Sequence, residues 1–228
     1  MASGKFRSKK EIVYEKLRED IVGGVYKPGE RLVIDELARE LNASQIPIRE
    51  AIQQLEADGF VTTEPYVGAR VAEIDANFIF EVFALMESME IISSRGACHL
   101  MTDEQLNKLE TMINKMDALH DDPARWSKQN KAMHLYIGEC AKTFLVLKMM
   151  HKIFDHWERL RLYYLNDLSD SRIPQAQKEH RQLLDAMKSR DPDAVEAVLK
   201  THIQSALGSY TRHLQKVGHL DPESSLQK

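Results

Sequence analysis

The chain has 228 residues, with 31 Lys and Arg against 35 Asp and Glu, a net charge of -4 and 43% apolar residues. That is enough apolar chain for a sizeable core and a smaller second one, and too little positive charge to advertise nucleic-acid binding through overall attraction. No apolar run approaches the roughly 20 residues of a membrane span, and no charged-then-apolar block resembles an export signal, so a cytoplasmic protein without membrane partners is expected.

Residues 1–72 hold 11 basic and 12 acidic side chains, so splitting the chain uncovers no basic domain. The one local excess, Lys5, Arg7, Lys9 and Lys10, reads as a phosphate-touching arm or as a solvated tail. Cys98 and Cys140 stand apart, which argues against a disulfide scaffold, a zinc ribbon and a C-x-x-C redox pair; both are read as packing residues.

The first predicted helix carries Val13, Leu17 and Ile21 on one face and ends at Gly23-Gly24; Pro28-Gly29 then makes a turn. A brief second helix has Leu37, Ala38 and Leu41 inside, with Asn42 suited to the left-handed residue that closes it. A third is expected to be capped by Ser44, to tolerate Pro47 in its first turn, and to bury Ile48, Ala51, Ile52 and Leu55 until Gly59. Phe60 to Thr63 and Ala69 to Val71 read as a hairpin around Pro65-Tyr66-Val67-Gly68.

After a boundary near 73–77 the apolar period lengthens and six helices are expected. Thr102 with Gln105 forms a capping box, and Asp122-Pro123 precedes a helix carrying Trp126 through Ala141. Thr143 is read as the cap of a helix running toward Asn166, Pro174 as the start of the next, and Asp191-Pro192 as the start of the last. The fold class is therefore mainly α: residues 1–73 a winged helix-turn-helix with a small hairpin, 77–220 an all-α bundle, and 221–228 a tail.

Two short helices close in sequence, the second with a polar outer face and a hairpin behind it, form a DNA-reading unit. The exposed side of the third helix carries Gln45, Ile46, Arg49 and Gln53. Gln45 suits adenine, Arg49 suits guanine or a phosphate, and the helix N-terminus attracts phosphate. Helical hairpins also build protein-binding domains, so an adaptor remains the rival reading of these elements.

The runs Tyr14 to Ile21, Lys27-Pro-Gly-Glu-Arg-Leu32, Glu36-Leu-Ala38, Ala43 to Ile52 and Leu55-Glu-Ala-Asp-Gly-Phe-Val61 resemble the N-terminal domain of GntR-family bacterial transcription regulators. The helical remainder resembles the FCD ligand-sensing domain of the FadR-like branch. The resemblance implies a homodimer on a palindromic double-stranded operator, usually a repressor, with DNA contacts from Arg31, Ser44, Gln45, Ile46, Arg49, the wing glycine Gly68 and Arg70. Two departures stand out: Ser44-Gln-Ile-Pro-Ile-Arg49 replaces Ser-Arg-Thr-Pro-Val-Arg, and Ile34-Asp-Glu-Leu37 replaces Glu-Arg-Glu-Leu. Two frequent positive contacts are thus absent, and the usual operator sequence is not expected.

In the second domain His134, His180 and His202 each lie on the apolar stripe of a different predicted helix, with Asn130 one turn before His134. A single inward histidine is commonly a core residue; three from three helices can surround one cation. Similarity to metal-binding FCD domains matches Asn130, His134, His180 and His202 to an Asp-x-x-x-His pair and two later histidines. Asn130 in the aspartate's place implies a weaker site, or a three-histidine site completed by water or effector. Imidazole suits zinc, nickel, copper or iron, and abundance puts zinc first.

The resemblance further implies a small carboxylate effector beside the metal. The arginine that often stands four residues before a glutamate is here Met86 before Glu90, so that anion contact is missing; Arg95, Arg159 and Arg161 are candidates to replace it, each more naturally a surface or ion-paired residue. A three-histidine metal-dependent hydrolase is the alternative function. It lacks H-E-x-x-H, G-x-S-x-G and P-loop motifs, and Glu179, adjacent to His180 and diverging by about 100° on a helix, is aimed away from the metal.

Overall fold

The computed structural model describes residues 7–165, 169–216 and 218. The chain divides into two compact units, Met1–Asp75 and Ala76–Lys228.

In the first unit, α1 (Lys9–Val22), α2 (Ile34–Glu40) and α3 (Gln45–Ala57) accompany a sheet of β1 (Arg31–Leu32), β2 (Val61–Glu64) and β3 (Gly68–Val71). Helix α1 starts at a capping box: Glu11 N–H donates to Ser8 Oγ and Ser8 N–H to Glu11 Oε2, so two first-turn donors are satisfied reciprocally. Its Leu17 and Ile21 pack with Leu37, Ile48, Leu55 and Phe60, all buried, and each contributes about 1.5–3 kcal/mol. The Tyr14 hydroxyl donates to Asp58 at 2.7 Å, fastening α1 to the end of α3.

The expected hairpin is a three-stranded antiparallel sheet in the order β1-β3-β2, with Arg31 opposite Arg70 and Glu64 opposite Gly68. Strand β1 is only two residues long, too short for an alternating pattern to register. It is led by Gly29, whose φ of +76° and approach to Glu73, 2.3 Å from a notional Cβ, exclude a side chain unless the carboxylate moves. Asn42, at φ +46°, closes α2 as its residue type suggests.

The second unit contains α4 (Ala76–Leu100), α5 (Asp103–Asp117), α6 (Pro123–Cys140), α7 (Phe144–Leu160), α8 (Ser169–Lys188) and α9 (Pro192–Lys216), with a π-helical turn, Arg161–Leu165, after α7. Helix α4 packs on α6, α7 and α9, and α8 on α5 and α9. Thr102 and Gln105 cap α5 reciprocally, and Asp122 accepts from Arg125 N–H ahead of Pro123. Other expected caps differ. Ser44 and Thr143 sit at the N-cap positions of α3 and α7, but neither side chain caps; Thr143 Oγ1 instead lies 3.3 Å from Ser93 Oγ. Pro174 is inside α8, not at its start, and Asn166 lies outside the described residues.

The core joins Leu109, Ile113 and Met116 of α5 to Met133 and Ile137 of α6, Met187 of α8 and Leu199 of α9. Both cysteines are buried and unbridged, as packing residues would be. Among the described residues no helix is long and apolar enough to cross a membrane.

Candidate functional site

Helices α6, α8 and α9 bring His134, His180 and His202 together, with one ligand atom of each within 4.8 Å of the others. All three are buried. Each imidazole has an oxygen from outside the cluster near its Nδ1. His202 Nδ1 is 2.6 Å from Glu179 Oε2, and since a carboxylate only accepts, the ring donates. His180 Nδ1 donates to Gln177 Oε1 at 3.1 Å, and Gln177 Nε2 is anchored on Ile113 O and Asp117 Oδ1. His134 Nδ1 lies 2.9 Å from Glu90 Oε2 of α4, an ion-pair distance without the alignment of a hydrogen bond. At His180 and His202, donation from Nδ1 leaves the ring's lone pair on Nε2.

The donor set fits a cation on a second count. His180 Nε2 and Asn130 Oδ1 are both buried with no hydrogen-bond partner among the described residues, a costly arrangement unless something occupies the centre. Burial, followed by the neighbouring histidines, holds His180 well below the usual imidazole range. Burial also lowers His202, against the opposing pull of Glu179. Both are held in the neutral form that ligates metals. At Glu179 burial acts upward, but hydrogen bonds from His202, Arg172 and Gln175 outweigh it and keep the carboxyl ionised.

A small cavity of about 40 Å³ opens beside the cluster and is lined by Met86, Glu90, Trp126, Asn130, Arg172 and His202 among others. It shares Trp126, Trp157, Arg172 and Tyr210 with an adjoining recess. Arg172 is the residue that sequence reasoning missed. Its Nη2 donates to Glu179 at 2.5 Å and to His202 O at 3.1 Å, while Nε and Nη1 are buried with no partner among the described residues. No motif marks it, because a lone arginine on a polar stretch reads as solvated.

The arginines considered as replacements lie elsewhere. Arg95 pairs with Asp193 and Glu196. Arg161 lines the recess and pairs with Glu158. Arg159 is fully buried and so not on the surface, and burial lowers its pKa to about 10. Glu179 does point away from the histidine centre, and the structure adds that it grips the far nitrogen of His202.

In the first unit Arg31, Ser44, Gln45, Ile46, Arg49 and Arg70 are all exposed, and Gly68 has φ +98° in the wing. Ile46 is 69% exposed, an unpaid apolar cost unless a partner covers it. Arg31 and Arg70 are cross-strand neighbours, and Arg70 Nη1 donates to Gly29 O at 3.0 Å, so this guanidinium is held rather than free. Gln45 Nε2 donates to Asp35 Oδ1 at 2.6 Å, and Arg49 Nη2 lies 3.5 Å from Gln45 Oε1.

Comparison with known proteins agrees with both units. Residues 9–71 match the model described as bacterial regulatory proteins, gntR family, and residues 81–205 match the FCD domain. The Nta operon transcriptional regulator of Aminobacter aminovorans is 27% identical over 78% of this chain and 83% of its own length. The HTH-type transcriptional repressor GlaR of Escherichia coli K12 is 26% identical over 83% and 90%. Among solved structures, E. coli McbR/YncC matches at a TM-score of 0.74 and 19% identity, over 91% of this chain and all of that one. With a GntR domain, an FCD domain and relatives that are regulators rather than enzymes, the chain belongs to the GntR family of DNA-binding transcription regulators, in the group that carries an FCD domain.

Proposed function

We propose that this regulator is a cytoplasmic homodimeric repressor of a palindromic operator, modulated by a divalent metal and a small carboxylate effector in the helical domain. The observation that carries the modulatory part is the three-histidine cluster, with its outer nitrogens secured and His180 Nε2 unsatisfied, beside a cavity that contains a buried, incompletely paired arginine. His134, His180 and His202 would hold the metal, with Asn130 as a weak or outer ligand; zinc suits the nitrogen set first, then nickel. A bound cation supplies local positive charge that favours an anion beside it. Arg172 adds a fixed positive charge from α8, where Met86 on α4 supplies none.

Dimerisation is supported by exposed apolar side chains on two helices that pack together: Leu85 and Ile92 of α4, and Phe144, Leu145 and Met149 of α7. A second copy would remove them from water and double the readout of one recognition helix. The repressor role is supported by the relative named as a repressor.

The test is a gel shift with the DNA upstream of the protein's own gene, with metal-loaded and chelated protein and a panel of small carboxylates. Two protomers per operator are expected, and at least one carboxylate should shift affinity only when metal is present. Binding indifferent to metal and to every carboxylate would overturn the modulatory role.

A further inference from the structure

Asp35 is the second residue of α2 and Gln45 the first residue of α3, and the two are joined by a 2.6 Å hydrogen bond. They are also two positions at which the chain departs from the pattern it resembles. Both side chains are exposed, and Arg49, one turn along α3, brings Nη2 to 3.5 Å from Gln45 Oε1. Asp35 makes no other side-chain hydrogen bond or ion pair among the described residues, so a carboxylate oxygen remains available.

This arrangement changes what Gln45 can read. An amide that reads adenine offers one N–H to N7 and its oxygen to the N6 amino group. Here Gln45 has committed an N–H to Asp35, and the added carboxylate repels the acceptor atoms N7, O6 and O4 that purines and thymine present. Gln45 keeps its second N–H, but its Oε1 already faces Arg49; what Asp35 adds is carboxylate acceptors, and their complement in the major groove is an exocyclic amino group with no acceptor beside it. Cytosine N4 meets that description; adenine N6, flanked by N7, does not. Beside these acceptors stands Arg49, a donor suited to guanine O6 and N7. Acceptors next to a donor match the two halves of one C·G pair.

We infer that Asp35 and Gln45 act together as a cytosine-reading pair, with Arg49 on the guanine paired to that cytosine or next to it, so that Asp35 is a specificity-determining residue of the operator interface. The inference rests on α3 being the recognition helix. The carboxylate also lowers affinity for arbitrary DNA, since its negative charge is repelled by the phosphate backbone.

The experiment is selection from random duplexes with the full chain as wild type, Asp35→Ala, Asp35→Asn and Arg49→Ala, with far-UV circular dichroism to establish that each variant is folded. Wild type should enrich a C·G pair at one position in each half-site. Asp35→Ala should lose cytosine preference there by about 5- to 150-fold, drift toward adenine as the Gln45 amide is released, leave the other positions unchanged and bind unrelated duplex more tightly. Asp35→Asn, which can donate as well as accept, should also relax the cytosine choice. An unchanged consensus in folded Asp35→Ala, or adenine or thymine selected by wild type at that position, would overturn the inference while leaving α3 as reader. Undiminished operator binding by Arg49→Ala would instead remove the recognition-helix reading on which the inference stands.

Discussion

Glu179 and His202 come from different helices, yet Glu179 Oε2 lies 2.6 Å from His202 Nδ1, while the next residue in sequence, His180, points into the histidine cluster itself. Neighbouring positions on one helix thus serve two tasks, a ligand and the group that orients another ligand. Replacing Glu179 by Gln keeps the size but removes the charge that fixes the His202 tautomer. Metal affinity should fall by about 10- to 100-fold, measured by competition with a chromophoric chelator. Affinity equal to wild type would mean that His202 needs no such support.

Wild-type protein purified without a histidine tag should carry one divalent ion per chain by elemental analysis, and His180→Ala and His202→Ala should carry much less. Because the ligands lie on three helices, metal at 100 times its Kd should add about 2.7 kcal/mol to the folded state. For a domain of this size that is a rise in Tm of about 5–10 °C. Equal melting with and without a chelator would show the cluster to be a core filled by water.

Arg49→Ala should weaken operator binding by at least about fivefold without changing helix content, because the proposed role of this exposed guanidinium is in DNA contact and its exposure leaves the fold without need of it. The salt dependence of binding separates its two possible roles. A shallower slope would identify a phosphate contact, and an unchanged slope with relaxed sequence preference a base contact.

Core truncations should be separable by spectroscopy. The chain has two tryptophans, Trp126 and Trp157, and both belong to the second unit. Leu109→Ala, at a fully buried site, should cost about 2–5 kcal/mol and move the tryptophan-fluorescence transition in urea. Phe60→Ala, of similar or greater cost, should leave that transition in place and appear only in far-UV circular dichroism. A fluorescence shift for Phe60→Ala would show that the two units unfold together.

What could be read from the residues followed the strength of local signals. The buried stripe of α3 and the capping box at Thr102 each rest on residues close in sequence, and both are found. Strand β1 was missed because two residues cannot display a period, and Pro174 was misplaced because proline is a helix-start signal that α8 carries inside its length. At the site, the histidines were legible from helical spacing. Arg172, the contact of Glu90 with His134 and the Asp35 to Gln45 bond were not, since each acquires its meaning from a partner distant in sequence or on another helix.

Helix α4 carries one side of the histidine cluster on a long rod. It runs without interruption from Ala76, the residue that follows Asp75, to Leu100, and along it Glu90 touches His134. Glu90 stands fourteen positions beyond Ala76, about 21 Å of rod at about 1.5 Å per residue. A continuous helix resists bending more than a loop does, so the place of Glu90 beside His134 is held by the whole length of α4 and not by its immediate neighbours alone.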